Sequence, residues 1–168
     1  SITIPPQPFG HGIVEWYAFR YSNGAMESID SGVQALVTGI NNAAVIVGQN
    51  GASSFRGFSA PYSPLRDLTL PRGINATGEV AGKMFAGDLI NEEHAAIADV
   101  EGNLHDLGSI GNWSSSASAI NDHGDATGEA YGRDPVTLIE HSRAFLYSAG
   151  RRIDSLALDS ADSDARGE

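Results

Sequence analysis

The chain of 168 residues has no cysteine, which excludes disulfides, Cys-ligated metal centres and thiol nucleophiles. Basic charge is scarce: 10 Lys and Arg stand against 21 Asp and Glu, and Lys83 is the one lysine. The resulting net charge of −11 argues against non-specific binding to nucleic acid or to an anionic membrane, both of which need a basic patch. The acidity reads as solubility charge spread over loops. No apolar run is long enough to cross a membrane, so no membrane insertion is expected. No stretch carries helical apolar periodicity over three turns, and the reading is all-β. A Gly-x-Ser-x-Gly elbow, a phosphate-binding loop and a dinucleotide fingerprint are all missing. Ser1 opens the chain without Met or an apolar signal region, which suits a mature secreted chain or a trimmed one.

What the chain does have is repetition. Gly73-Ile74-Asn75-Ala76-Thr77-Gly78-Glu79-Val80-Ala81-Gly82 recurs as Gly39-Ile40-Asn41-Asn42-Ala43-Ala44-Val45-Ile46-Val47-Gly48. It recurs again as Ala119-Ile120-Asn121-Asp122-His123-Gly124-Asp125-Ala126-Thr127-Gly128. Asn bonds its own nearby backbone and Gly takes positive φ without a Cβ penalty, so Asn-x-x-Gly predicts a tight antiparallel turn. Asn41, Asn75, Asn121, Gly78 and Gly124 are the expected structural turn residues. Ala44, in the Gly place, makes its copy the least turn-like.

A second phrase alternates with the first: Phe19, Gly24 and Ile29; Phe58, Ser63 and Leu68; Ile97, Gly102 and Leu107; Phe145, Gly150 and Leu156. Asn23-Gly24 is a strong two-residue hairpin signal. Two hairpins make a unit of four short strands, and the unit recurs roughly every forty residues, a period typical of propeller blades. The expected fold is a propeller-like array of about four small antiparallel blades within a single repeat domain spanning 1–168. Its units are 17–48, 56–82, 95–128 and 143–168, with insertions at 108–118 and 131–142. A plain β-sandwich rich in Asn and Gly is the alternative. The last unit stops one strand short, at Asp164-Ala165-Arg166-Gly167-Glu168. The early strand Ile2-Thr3-Ile4 could complete it and close the ring. A half-ring that pairs into a homo-oligomer and a piece of a longer array stay open, as does disorder of the acidic tail 159–168.

The alternation of a Phe strand, a Gly turn, a Leu-ending strand and Ile-Asn-x-x-Gly-x-x-x-Gly resembles the HAF repeat family of extracellular bacterial proteins. That family is named for a His-Ala-Phe tripeptide. The resemblance covers nearly all of 17–156. The tripeptide is degenerate here, as Tyr17-Ala18-Phe19, Arg56-Gly57-Phe58, Ala95-Ala96-Ile97 and Arg143-Ala144-Phe145. The resemblance implies a β-repeat fold and an extracellular or periplasmic location. It implies no activity and no cofactor.

Candidate chemistry is sparse. His11, His94, His105, His123 and His141 show no metal-ligand spacing, and His94 and His141 both precede a Phe-type strand. Asp162, Asp164 and Gly167 echo a calcium loop, but Arg166 stands where an oxygen ligand belongs. Asp67, Asp106 and Asp154 are numerous enough for a glycosidase pair, yet their recurrence at equivalent places reads as structural. Asn75-Ala76-Thr77 and Asn112-Trp113-Ser114 fit a glycosylation sequon. No catalytic residue, metal ligand or cofactor is assigned. Aromatic residues that leave the repeat pattern, Trp113, Tyr131, Trp16 and Tyr62, are the expected ligand contacts, because aromatic faces stack on sugar rings and anchor interfaces. Trp113 could instead fold back over the edge of the ring. The reading is a secreted, non-catalytic repeat module that presents loops to carbohydrate or to a partner protein. A polysaccharide hydrolase or lyase and a purely structural module are the alternatives.

Overall fold

The computed structural model describes residues 18–29, 35–58, 61–86, 92–109, 113–133, 136–148 and 151–153. Fourteen strands run through them with no helix: β1 (Phe19–Ser22), β2 (Ala25–Ser28), β3 (Ala35–Ile40), β4 (Ile46–Asn50), β5 (Ser53–Gly57), β6 (Ser63–Leu65), β7 (Gly73–Ile74), β8 (Val80–Phe85), β9 (Glu93–Ala98), β10 (Leu104–Gly108), β11 (Ser114–Ile120), β12 (Ala126–Arg133), β13 (Glu140–Ser148) and β14 (Arg151–Ile153). β1 and β2 form a hairpin across Asn23-Gly24, both at positive φ as a two-residue I′ turn requires. The other twelve make three antiparallel meanders of four strands, β3–β6 (sheet I), β7–β10 (sheet II) and β11–β14 (sheet III).

The sheets divide the chain half a unit away from the repeats read in the sequence. Residues 17–48 give one hairpin to the first sheet and β3–β4 to sheet I, and 56–82 and 95–128 straddle two sheets in the same way. The Ile-Asn turn therefore joins the first two strands of a sheet, and the Phe-type strand is its third.

Each Ile-Asn phrase closes the same five-residue loop. The Asn N–H donates to the carbonyl four residues on, in Asn41 to Val45 (3.0 Å), Asn75 to Glu79 (3.1 Å) and Asn121 to Asp125 (2.9 Å). The Asn side-chain oxygen accepts two further loop N–H groups at 2.8–3.0 Å in every copy. The fourth position takes φ 97° at Gly78 and 78° at Gly124, and 59° at Ala44. Ala44 holds that left-handed position against a Cβ penalty of about 1–2 kcal/mol. Glycine there relieves the strain but loosens the unfolded chain by about 0.5–1 kcal/mol. Ala44→Gly is therefore expected to raise stability by roughly 0.5 kcal/mol or more, read by urea denaturation.

The core lies between successive sheets. Alternate residues of β8 and β9 face opposite ways. Val80, Ala96 and Ala98 meet Val47 and Leu65 of sheet I, while Ala81, Ala95 and Ile97 meet Ala117, Ala126 and Phe145 of sheet III. Sheet II is thus covered on both faces, which explains its nearly unbroken apolar run Ala95-Ala96-Ile97-Ala98. A third cluster packs Ala18 and Ile29, which flank the first hairpin, on Ala35, Ile46 and Phe55.

The expected Phe series is off register in sheet I. Phe55, not Phe58, pairs with Gly48 and is 5 % exposed. Phe58 lies past the strand end, 56 % exposed, under the guanidinium of Arg20. Phe19 is likewise exposed, whereas Ile97 and Phe145 are buried as the pattern requires. Ile2-Thr3-Ile4, the tail 159–168 and the turn at Gly150 fall outside the described residues.

Candidate functional site

The three Ile-Asn turns come together. The side-chain amide of Asn41 donates to the Asn75 carbonyl (2.9 Å), and that of Asn75 donates to the Asn121 carbonyl (3.1 Å). Asp122 adds a parallel lock by accepting the Ala76 N–H at 2.8 Å. A cleft of about 150 Å3 opens at this hub between Ile40, Ile74 and Ile120. Ligand pockets run from about 300 Å3 upwards, so the hub reads as structure rather than as a binding site. All five expected turn residues take part in these loops.

A different surface forms at the start of sheet III. Ser115 donates to the Gly108 carbonyl (2.6 Å) and accepts the Ala95 N–H (2.8 Å), pinning the first residues of β11 onto sheet II. The Ser109 hydroxyl donates to the Trp113 carbonyl. Trp113 is thereby laid across β12 at Gly132, where any Cβ would meet the indole Cγ at 2.3 Å. Gly132 pairs with His141 on β13, and the imidazole is parallel to the indole within 3°, with ring centroids 5.8 Å apart. The guanidinium of Arg143 lies 5.7 Å from the indole centroid. Tyr131 pairs with Ser114, the neighbour of Trp113, so two of the expected ligand contacts sit at the same end of one sheet.

Tyr131 also reaches across to sheet II. Its hydroxyl donates to Glu93 (3.0 Å), whose same carboxylate oxygen binds Lys83 at 2.7 Å. Burial, and then the bond to Glu93, push the Tyr131 pKa above its ordinary 10.0. A raised pKa favours the neutral phenol in the fold. The stability it contributes is full below the ordinary value and is lost as pH rises through the raised one. Urea melts at about pH 8 and about pH 11 are expected to show a larger alkaline loss for the native chain than for Tyr131→Phe.

No family model matches the chain, and no curated protein or solved structure matches it.

The other expected contacts do not join this surface. Tyr62 packs its ring 4.8 Å from that of Phe55, beside the third core cluster, and burial raises its pKa. Trp16 lies outside the described residues. Asp106 is committed locally: its oxygens lie 2.9 and 3.0 Å from Nδ1 of His94, and it accepts the Gly108 N–H at 2.7 Å. Asp67 sits in a turn at φ 65°, and Asp154 lies outside the described residues. His94 and His141 do occupy third strands of successive sheets, but only His141 faces an indole. Among the described residues no group of three or more His, Asp or Glu is placed to hold a metal, and no helix is long and apolar enough to cross a membrane. Gly132, His141 and Arg143 were missed as site residues. Counting outward from the Asn121 turn brings Trp113 close to Gly132, a signal the sequence did carry.

Proposed function

We propose that the chain is a secreted, non-catalytic β-repeat module that binds carbohydrate on the surface around Trp113. The observation that carries this reading is an indole laid flat on a glycine, parallel to a second ring and rimmed by groups that bond hydroxyls. Sugar rings present C–H faces that stack on aromatic faces while their hydroxyls need polar neighbours. Arg143 and His141 supply such neighbours. The resemblance to the HAF repeat family supports an extracellular or periplasmic place.

The scaffold in this reading is a propeller-like ring of about four units. Support comes from the sheets stacking in chain order and from their Asn turns meeting at one hub. In this reading the hairpin β1–β2 takes the third and fourth strand places of a further unit. In this proposal the two ends of the chain share that unit, with Ile2-Thr3-Ile4 completing it. A solution mass equal to one chain fits internal closure, and an obligate dimer contradicts it.

Binding is tested on a panel of immobilised polysaccharides. Trp113→Ala is expected to weaken whatever the native chain binds by at least about tenfold. Equal binding by the variant would remove the site from this surface.

A further inference from the structure

We infer that the sugar on the Trp113 surface is an acidic one, a hexuronate whose carboxylate is held by Arg143; the inference rests on the carbohydrate reading above. In this acidic chain the cations near this corner differ in what they hold. Lys83 is already bound to Glu93, and farther off Arg20 is bound to Glu27 at 2.6 Å. The Arg143 side chain makes no ion pair or hydrogen bond with any described residue; its neighbour is the indole of Trp113. A guanidinium is a rigid planar fork that meets a carboxylate through two parallel N–H···O bonds.

Position supports the match. His141 and Arg143 stand two residues apart on β13, so their side chains leave the same face. Trp113 covers Gly132, the partner of His141, and so lies on that face too. A pyranose resting on the indole and carrying a carboxylate at its rim would bring that group to the guanidinium. A neutral sugar would use the ring and leave the fork unused.

The net charge of −11 opposes a polyanion. At physiological ionic strength the screening length is about 8 Å, so distant acidic residues count little against one contact at the site. The affinity is therefore expected to be modest and to fall with added salt.

The experiment compares polygalacturonate with its methyl ester, the same polymer with the charge masked, against the native chain, Trp113→Ala and Arg143→Gln. Native protein is expected to bind polygalacturonate at least about tenfold more tightly than the ester, as loss of a charge-assisted pair implies. Arg143→Gln should erase that preference while keeping the ester's affinity, and Trp113→Ala should weaken both polymers. Equal native affinity for the two polymers, with loss in Trp113→Ala, overturns the acidic sugar and keeps the carbohydrate site. Binding of neither polymer, or no effect of Trp113→Ala, overturns the inference, and the second result removes the carbohydrate site as well. Dextran sulfate is the last arm. Dextran sulfate binding as tightly as polygalacturonate, and unaffected in Trp113→Ala, marks plain ion exchange and overturns the inference.

Discussion

Asn75→Ala is expected to lower the unfolding free energy by roughly 3–4 kcal/mol, a large share of the total for a domain of this size. Asn75 is 3 % exposed and its side chain makes five bonds. The amide oxygen accepts the Gly78 and Glu79 N–H groups (3.0 and 2.8 Å) and the Thr77 hydroxyl (2.7 Å). The amide nitrogen donates to Glu79 (2.6 Å) and to the Asn121 carbonyl (3.1 Å). Truncation removes all five: the Glu79 N–H loses its acceptor, the Gly78 N–H keeps only the backbone carbonyl of residue 75, and the link to the Asn121 carbonyl is lost inside a buried turn, which costs more than losing an exposed bond. Asn121 has the same loop chemistry but is exposed. Asn121→Ala should therefore cost only about 1 kcal/mol. Urea denaturation of the two variants reads the difference directly. Equal losses would mean that the middle turn is not the keystone of the hub.

Gly128→Ala should be at least as damaging, at roughly 3–5 kcal/mol. A Cβ at Gly128 would stand 2.0 Å from the Ser116 carbonyl oxygen, 2.8 Å from the Ala117 Cα and 2.9 Å from the Phe145 ring. Two of those atoms are backbone of the paired strand and cannot turn aside. A Cβ at Gly48 or Gly82 would meet the Leu36 or Leu70 carbonyl oxygen at 2.3 Å, so the last Gly of every phrase is a contact residue. Gly24→Ala is the control: nothing lies within 4 Å of its Cβ, and only its φ of +79° is strained. That strain costs about 1–2 kcal/mol. A Gly128 variant no less stable than the Gly24 variant would deny the close approach.

The turns were legible because their chemistry is local. Asn23-Gly24 and the Asn-x-x-Gly loops need no partner to be recognised, and an all-β reading follows from them. The role of Gly48, Gly82 and Gly128 was not legible, since a carbonyl of a neighbouring segment imposes it. Bulges also hid it: β3 and β11 each slip by one residue opposite that Gly. The tripeptide match picked out Phe58, and the pairing of Gly48 with Phe55 shows that Phe55 fills the buried place. Trp113 and Tyr131 stood out by leaving the repeat, and the β11–β12 pairing brings them to the same end of sheet III, Tyr131 opposite Ser114 and Trp113 over Gly132. His141 and Arg143 reach that corner only through the β12–β13 hairpin, whose pairing runs on to Arg133 and Glu140 inside the stretch 131–142 that reads as an insertion.

The claim under all of this is that neighbouring units hold one another through their Asn turns. Amide hydrogen exchange at Ala76 tests it, because that N–H is held by Asp122, a side chain of the next sheet. In Asp122→Ala, exchange at Ala76 is expected to speed up by about ten- to a hundredfold, while Gly78 and Glu79, held by the side chain of Asn75, keep their protection. An unchanged rate at Ala76 would contradict the lock between units.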